Sequence, residues 1–333
     1  MEKVRLGLIG CGGRSKAHIN GMKQLDYVEF VSVADPIEEN AKEKAEMTGA
    51  TKIYKDHREL LDHAKEDGIN ALVICVDPTA HAEDMELRAI EMGLPFLVEK
   101  PMTNDLDLAE RISAKVEEKG LITAVGFQDR YLELIDLIKE ELPKHKQGGL
   151  VFGSWVGGIP NRWWWMKKSD CGGQLVEQNI HLLDGLRYLY GEPLSVYATS
   201  SRGMIMAGEN GVSPDYDTDD HSTVVLRFPG NVTATLVSGC YAGVRPPCGY
   251  LITLNDMVID YRLRNNVTFI SAEGPRDIKR TKEQTDLLDK DFADAVLSGD
   301  GSKIRSPYKE ALISLKLGYK CNEAMESGQV IYF

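Results

Sequence analysis

A chain of 333 residues is too long for one small core, so two domains are expected. With 43% hydrophobic and 27% charged residues, the composition is that of a soluble globular protein and not of a disordered tail. The net charge of −12 excludes a general nucleic-acid or anionic-membrane surface, because phosphates would be repelled.

The opening stretch MEKVRLGLIGCGG is apolar only briefly before a glycine turn. That is too short for a signal peptide's apolar region, and no long apolar run suggests a membrane span. Cys11, Cys75, Cys171, Cys240, Cys248 and Cys321 are scattered, with no CxxC pair or zinc-like cluster. Free thiols in a reducing cytoplasm are therefore expected.

From Val4 to Phe127, apolar runs alternate with charged amphipathic stretches. VRLGLIG, VEFVSVAD, ALVICVD, LPFLVEK and LITAVGF read as strands. EENAKEKAEMTG and AEDMELRAIEMG read as helices, each ending near a glycine suited to a left-handed cap. Short, nearly continuous apolar strands separated by helices indicate a parallel sheet covered on both faces. The right-handed crossover rule makes that sheet doubly wound. This first domain is expected over residues 1–126.

Beyond it, over 127–333, the rhythm changes. The helical stretches DRYLELIDLIKEEL and GGQLVEQNIHLLDGLRYLYG precede the β-like runs PLSVYATSSRG, STVVLRF, NVTATLVSG, YLITLND and VTFIS. These suit a mostly antiparallel sheet with helices on one face, in an α+β domain. Two late helices, TDLLDKDFADAVLSG and YKEALISLKLGYKCNEAMESG, and a final VIYF close the chain.

LGLIGCGGRSKAH follows a predicted strand and opens a helix, the context that a dinucleotide fingerprint requires. Gly10 makes the tight turn, and Gly12, with Gly13 beside it, lets the backbone approach a pyrophosphate. Ser15 occupies the third position, where it is small enough to keep helix and strand close. Asp35 ends the second strand about 20 residues later, where a carboxylate can bind both ribose hydroxyls. It would repel a 2′-phosphate, and Pro36-Ile37 offer no basic group, so NAD is expected and NADP is disfavoured. Arg14 either lies over the adenine or reaches a phosphate.

ALVICVDPTAHAEDMELRAIEMGLPFLVEKPM places Asp77-Pro78 and His81 ahead of Glu99-Lys100-Pro101. With the glycine loop and GGQLVEQNIHLLD, this closely resembles the Gfo/Idh/MocA family of glucose–fructose oxidoreductase and inositol dehydrogenase relatives. The resemblance spans nearly the whole chain. It implies a Rossmann domain followed by a domain built on a large open sheet, which commonly serves as an oligomer interface. A homodimer or homotetramer formed through that sheet is therefore expected. It also implies NAD-dependent oxidation or reduction of a secondary carbinol in a sugar, cyclitol or related polyol. Lys100 and His181 match the family's catalytic lysine and histidine. Glu177 stands where many members have aspartate, and Asp77 where threonine is frequent. Pro78, His81, Glu99, Lys100 and Gln128 fit cofactor-side positions, and Gln128 and Arg130 follow the last Rossmann strand.

The chemistry is consistent with those residues. Hydride loss from a carbinol requires a base for the hydroxyl proton, which a histidine supplies near neutral pH. A lysine beside the same oxygen stabilises developing negative charge. Glu177, at i−4 on the expected helix, faces the same side as His181. It orients the imidazole, stabilises its protonated form, binds a sugar hydroxyl, or is simply a first-turn carboxylate favoured by the helix dipole. No third ligand accompanies this pair, so no metal site is expected. NRWWWMKKSDC supplies Trp163, Trp164 and Trp165, which either stack on a sugar or pack domains or subunits together, and Arg162 or Lys167 to bond hydroxyls or a carboxylate. TDDHS, with Asp219, Asp220 and His221, reads as a solvated strand entry. Two other functions compete with net redox: NAD-assisted glycosidase or epimerase-like chemistry through transient oxidation, and ligand sensing on the same fold.

Overall fold

The computed structural model describes residues 3–81, 84–146, 148–209 and 211–333. Six strands form the first sheet: β1 (Val4–Ile9), β2 (Val28–Ala34), β3 (Lys52–Tyr54), β4 (Ala71–Ile74), β5 (Phe96–Val98) and β6 (Thr123–Val125). All neighbours are parallel, in the order β3-β2-β1-β4-β5-β6, which is the doubly wound Rossmann arrangement. Every residue of β4, β5 and β6 is buried, because helices cover both faces and no side needs to be polar. The helices are α1 (Ser15–Met22), α2 (Glu38–Thr48), α3 (His57–Asp67), α4 (Glu86–Glu91) and α5 (Leu106–Lys119). Asp56 and Asp105 cap α3 and α5 by accepting the Glu59 and Leu108 N–H groups. Of the helix expected over 82–93, α4 covers the later part; Ala82 and Glu83 lie outside the described residues.

The second sheet has nine strands. They are β7 (Gly149–Val156), β8 (Ser195–Ser201), β9 (His221–Phe228), β10 (Val232–Gly239), β11 (Gly249–Thr253), β12 (Val258–Arg262), β13 (Asn266–Ser271), β14 (Gly274–Lys279) and β15 (Ile331–Tyr332). Their order is β14-β13-β12-β11-β7-β10-β9-β8-β15, antiparallel throughout except for the parallel pair β7–β10. Burial alternates along β9 and β10, so one face is apolar core and the other is open. The helices α6 (Glu133–Glu141), α7 (Lys168–Cys171), α8 (Gln174–Glu177) and α9 (Ile180–Tyr190) belong with this sheet. Leu175, Leu182 and Leu186 join its core with Val224, Leu236 and Ile252. No helix among the described residues is long and apolar enough to cross a membrane.

The two compact units do not follow the chain in a single pass. The first comprises Met1–Tyr131 with Lys282–Leu312, and the second Leu132–Thr281 with Ile313–Phe333. The helix α10 (Gln284–Ser298) therefore belongs with the Rossmann sheet, while α11 (Tyr308–Ser327) contributes to both units. Leu288, Phe292 and Ala293 of α10 pack in the same core as Leu6, Leu8 and Ile19. Gly21 permits this approach: a Cβ there would fall 2.4 Å from the Asp289 carboxylate.

Candidate active site

The loop between β1 and α1 carries the features that a dinucleotide needs. Gly10 has φ +87°, and a Cβ there would lie 2.5 Å from the Cys75 carbonyl oxygen. A Cβ on Gly12 would meet nothing within 4 Å, leaving room for a phosphate over the backbone beside exposed Gly13. Ser15 is fully buried, and its hydroxyl donates to the Gly12 carbonyl at 2.7 Å. Arg14 places no capping side chain over the first turn of α1.

Asp35 accepts the Cys11 N–H at 2.7 Å and the Ile37 N–H at 2.8 Å. A carboxylate oxygen has a second acceptor direction, so these bonds orient Asp35 without exhausting it for ribose hydroxyls. Pro78 is buried at the end of the β4 loop, where Asp77 turns back to accept the Thr79 N–H and hydroxyl at 3.0 and 2.5 Å. Asp77 is thus used as a turn former. His81 bonds Glu86 through Nδ1, and its buried Nε2 has no hydrogen-bond partner among the described residues. The same holds for Oε1 of Gln128, which is buried in a short 3₁₀ turn after β6. Two buried polar atoms await partners that a ligand or water can supply. The residues of this unit fit a bound dinucleotide.

Glu99 and Arg14, expected on the cofactor side, are engaged inside the unit. Glu99 is only 5% exposed, and its Oε1 accepts from Arg14 Nε and from His18 Nε2, both at 2.8 Å. Its Oε2 accepts the Lys100 backbone N–H at 3.2 Å. His18 is wholly buried, and its Nδ1 lies 2.6 Å from Asp289 Oδ1. Burial alone would lower the His18 pKa, but Asp289 and then Glu99 raise it from 6.5 to about 9. Burial likewise opposes Glu99 ionisation, yet Arg14 and His18 hold its carboxyl down at about 2. Burial pushes Asp289 upward despite the imidazolium beside it, so His18 and Asp289 titrate as a pair. Arg130, also buried, donates to the Arg305 carbonyl at 2.9 Å and pairs with Glu310 at 3.2 Å. Lys100, half-buried, stands directly after this network.

In the second unit, the expected single helix over 172–191 is two. α8 ends at Glu177, α9 begins at Ile180, and Gln178-Asn179 leave regular helix geometry at φ −102°, ψ −53° and φ −85°, ψ 0°. Glu177 and His181 therefore occupy separate helices. His181 is 5% exposed in the first turn of α9 and stacks on Trp155 with ring centroids 5.9 Å apart and planes at 19°. Arg264, at φ +57°, lies over the same indole at 5.5 Å. The consecutive tryptophans diverge. Trp165 is fully buried against Ile205 and Tyr216, whereas Trp163 is 63% exposed and meets Trp164 edge-on at 5.9 Å. Arg162 is exposed and lies 5.8 Å over Trp164.

The solvated reading of TDDHS is corrected by Asp220. It is fully buried, accepts the Met204 and Ile205 N–H groups at 2.6 and 3.1 Å, and receives the Tyr216 hydroxyl at 2.9 Å. It organises the loop before β9. Sequence reasoning also missed Trp155, His18 and Asp289. Trp155 lies in GLVFGSWV, whose glycines mask the strand alternation, and His18 and Asp289 acquire meaning only from each other. No group of three or more His, Cys, Asp or Glu among the described residues is placed to hold a metal ion.

The His18 network sets a pH dependence of stability. His18, raised to about 9, contributes fully below its ordinary 6.5, and that contribution is lost as pH rises through 9. Glu99, lowered to about 2, contributes fully above its ordinary 4.5, and its share is lost as pH falls through 2. Thermal melts of the native protein are expected to fall between pH 6.5 and 9, and those of His18→Gln to be flatter across that window. Glu99→Gln removes the carboxylate between buried His18 and half-exposed Arg14 and is expected to cost about 3 kcal/mol, read as a lowered midpoint in denaturant unfolding. Equal pH slopes in the native protein and His18→Gln would remove this account.

Comparison with known proteins places the chain. Residues 4–127 match the model described as an oxidoreductase family with an NAD-binding Rossmann fold, and residues 149–254 match the GFO/IDH/MocA C-terminal domain. The chain is 27% identical to the scyllo-inositol 2-dehydrogenase (NAD(+)) of Bacillus subtilis (strain 168), over 99% of this chain and 96% of that protein. It is 24% identical to the rhizopine catabolism protein MocA of Rhizobium meliloti, over 91% of this chain and 98% of that one. In three dimensions it resembles levoglucosan dehydrogenase in complex with NADH and levoglucosan, with a TM-score of 0.87, 20% identity and 99% of each chain covered. The glycine loop and both matched domains agree: the chain belongs to the Gfo/Idh/MocA family of NAD-binding oxidoreductases.

Proposed function

We propose that the protein is an NAD-dependent dehydrogenase acting on a secondary carbinol of a sugar, cyclitol or related polyol. The observation that carries this reading is the end-to-end alignment with an inositol dehydrogenase, together with the presence of Lys100 after β5 and His181 at the start of α9. NAD, when bound, supplies the hydride acceptor. His181 takes the hydroxyl proton as the carbinol becomes a carbonyl, and returns it in the reverse direction. Stacking on Trp155 restricts rotation of its imidazole and so favours one orientation for proton transfer. Lys100 holds the reacting oxygen and stabilises its developing charge. Glu177, Arg162, Trp163 and Trp164 are assigned to substrate contacts in this reading. Gly10, Gly12, Gly13, Ser15, Asp35, Pro78, His81 and Gln128 are assigned to the cofactor.

The open face of the nine-stranded sheet suits a second copy of the chain. Phe152, Val237 and Leu251 are all exposed there, and Leu251 stands directly opposite Phe152 across the β7–β11 pair. A contiguous apolar patch of this kind is characteristic of an interface.

Lys100→Ala and His181→Ala are each expected to retain NAD binding by fluorescence titration and to lose kcat by about 10²–10⁴-fold. Near-native turnover in either variant would remove its catalytic assignment. The double variant Asp35→Ser/Ile37→Arg is expected to raise the NADP:NAD ratio of kcat/KM by about tenfold or more. An unchanged ratio means that Asp35 is not at the ribose. Phe152→Asp with Val237→Asp is expected to convert a dimer or tetramer to monomer in light scattering, and an unaltered mass rules out this face.

A further inference from the structure

A groove of about 660 Å³ opens beside the Trp155–His181 stack, wholly within the second unit. Trp155, which stacks on His181, lines it together with Gln178, Arg245, Arg262 and Asn265. Among the described residues of that lining, the two arginines are the formally charged ones, in a protein whose net charge is −12. Arg245 is exposed, and its Nε lies within van der Waals reach, 3.7 Å, of the Cβ position at Gly157. Arg262 pairs with Asp260 at 2.7 Å through Nη2, a bond that uses a fraction of its five donors. Arg264 adds a third cation over the Trp155 ring.

The polarity of this groove selects its ligand. A polyol hydroxyl both donates and accepts, and the neutral side-chain acceptors for it in this lining are the amides of Gln178 and Asn265, whereas its charged groups are guanidiniums. Guanidinium groups only donate. Their planar fork matches the paired oxygens of a carboxylate or phosphate. Trp155 both stacks on His181 and lines the groove, so it joins the surroundings of the histidine to those of the arginines.

We propose that the substrate is an acidic sugar or cyclitol, whose carboxylate or phosphate is held by Arg245 and Arg262 while its ring lies along Trp155 toward His181. This rests on the dehydrogenase reading above and narrows its substrate class. Arg245 and Arg262 are specificity-determining residues here, and their loss acts on binding of the anionic group.

The test is calorimetric titration of the NADH-loaded protein with D-glucose, D-glucuronate, D-glucose 6-phosphate, myo-inositol and myo-inositol 1-phosphate. At least one anionic compound is expected to bind about tenfold or more tightly than its neutral parent. The preferred member of the panel identifies carboxylate or phosphate as the source. Arg245→Ala/Arg262→Ala is expected to abolish that preference and to leave the affinity for the neutral parent unchanged. Arg245→Ala alone, at an exposed position, gives a smaller loss in the same direction if Arg262→Ala proves unstable in a thermal melt. Equal binding of neutral and anionic members, no binding of any, or an unchanged preference in the variants overturns the proposal. NADH formation with the same compounds and NAD judges the dehydrogenase reading separately. Anion-selective binding without NADH formation removes that reading and leaves the groove. Oxidation of neutral polyols at rates indifferent to the arginines removes the groove and leaves the reading.

Discussion

Three segments far apart in the chain converge on one buried imidazole. His18 comes from α1, Glu99 from the end of β5 and Asp289 from α10, with Arg14 joining from the glycine loop. None of these charges could be buried alone without a large desolvation cost, so each is stable only when the others are in register. The network couples the glycine loop to the strand end that carries Lys100, because Glu99 also accepts the Lys100 N–H. Gly21 shows how closely α10 must approach for the charges to meet. The cofactor loop and the lysine are thereby positioned by a single electrostatic cluster.

The second unit is organised by its sheet. β7 lies in the middle, paired in parallel with β10 and antiparallel with β11, although its glycine-containing sequence is a weak strand signal. Strand alternation then sends Val151 into the core and Phe152 to the open face. At the end of the same strand, Trp155 reaches His181, and the adjoining groove collects arginines from the β10–β11 connection and from β12. One strand thus contributes to the core, to the open apolar face and to the surroundings of the histidine.

Much of this was legible in the chain because the signals are local. The apolar runs of the first third, the glycine loop and the acidic residue ending β2 each follow from spacing within a few turns of backbone. Leu175, Leu182 and Leu186 recur near helical spacing and lie in the core. The same periodicity predicted one continuous helix through Gln178-Asn179, where the structure has two. Trp163-Trp164-Trp165 drew attention by composition, yet Trp155 is the indole that meets the histidine. Asp220 looked solvated in a run of polar residues, but it is buried because three donors converge on it.

The sequence by itself determined the Rossmann sheet, the mostly antiparallel second sheet and the glycine loop of the NAD-binding domain. Those depend on residue type and short-range spacing, which a single chain displays directly. Only the tertiary structure decided that α10 returns to the first unit, that Glu99 and Arg14 are paired internally, and that arginines gather beside Trp155. These are meetings between segments separated by long loops. Their energies come from burial and charge pairing in three dimensions, for which spacing along the chain carries no record.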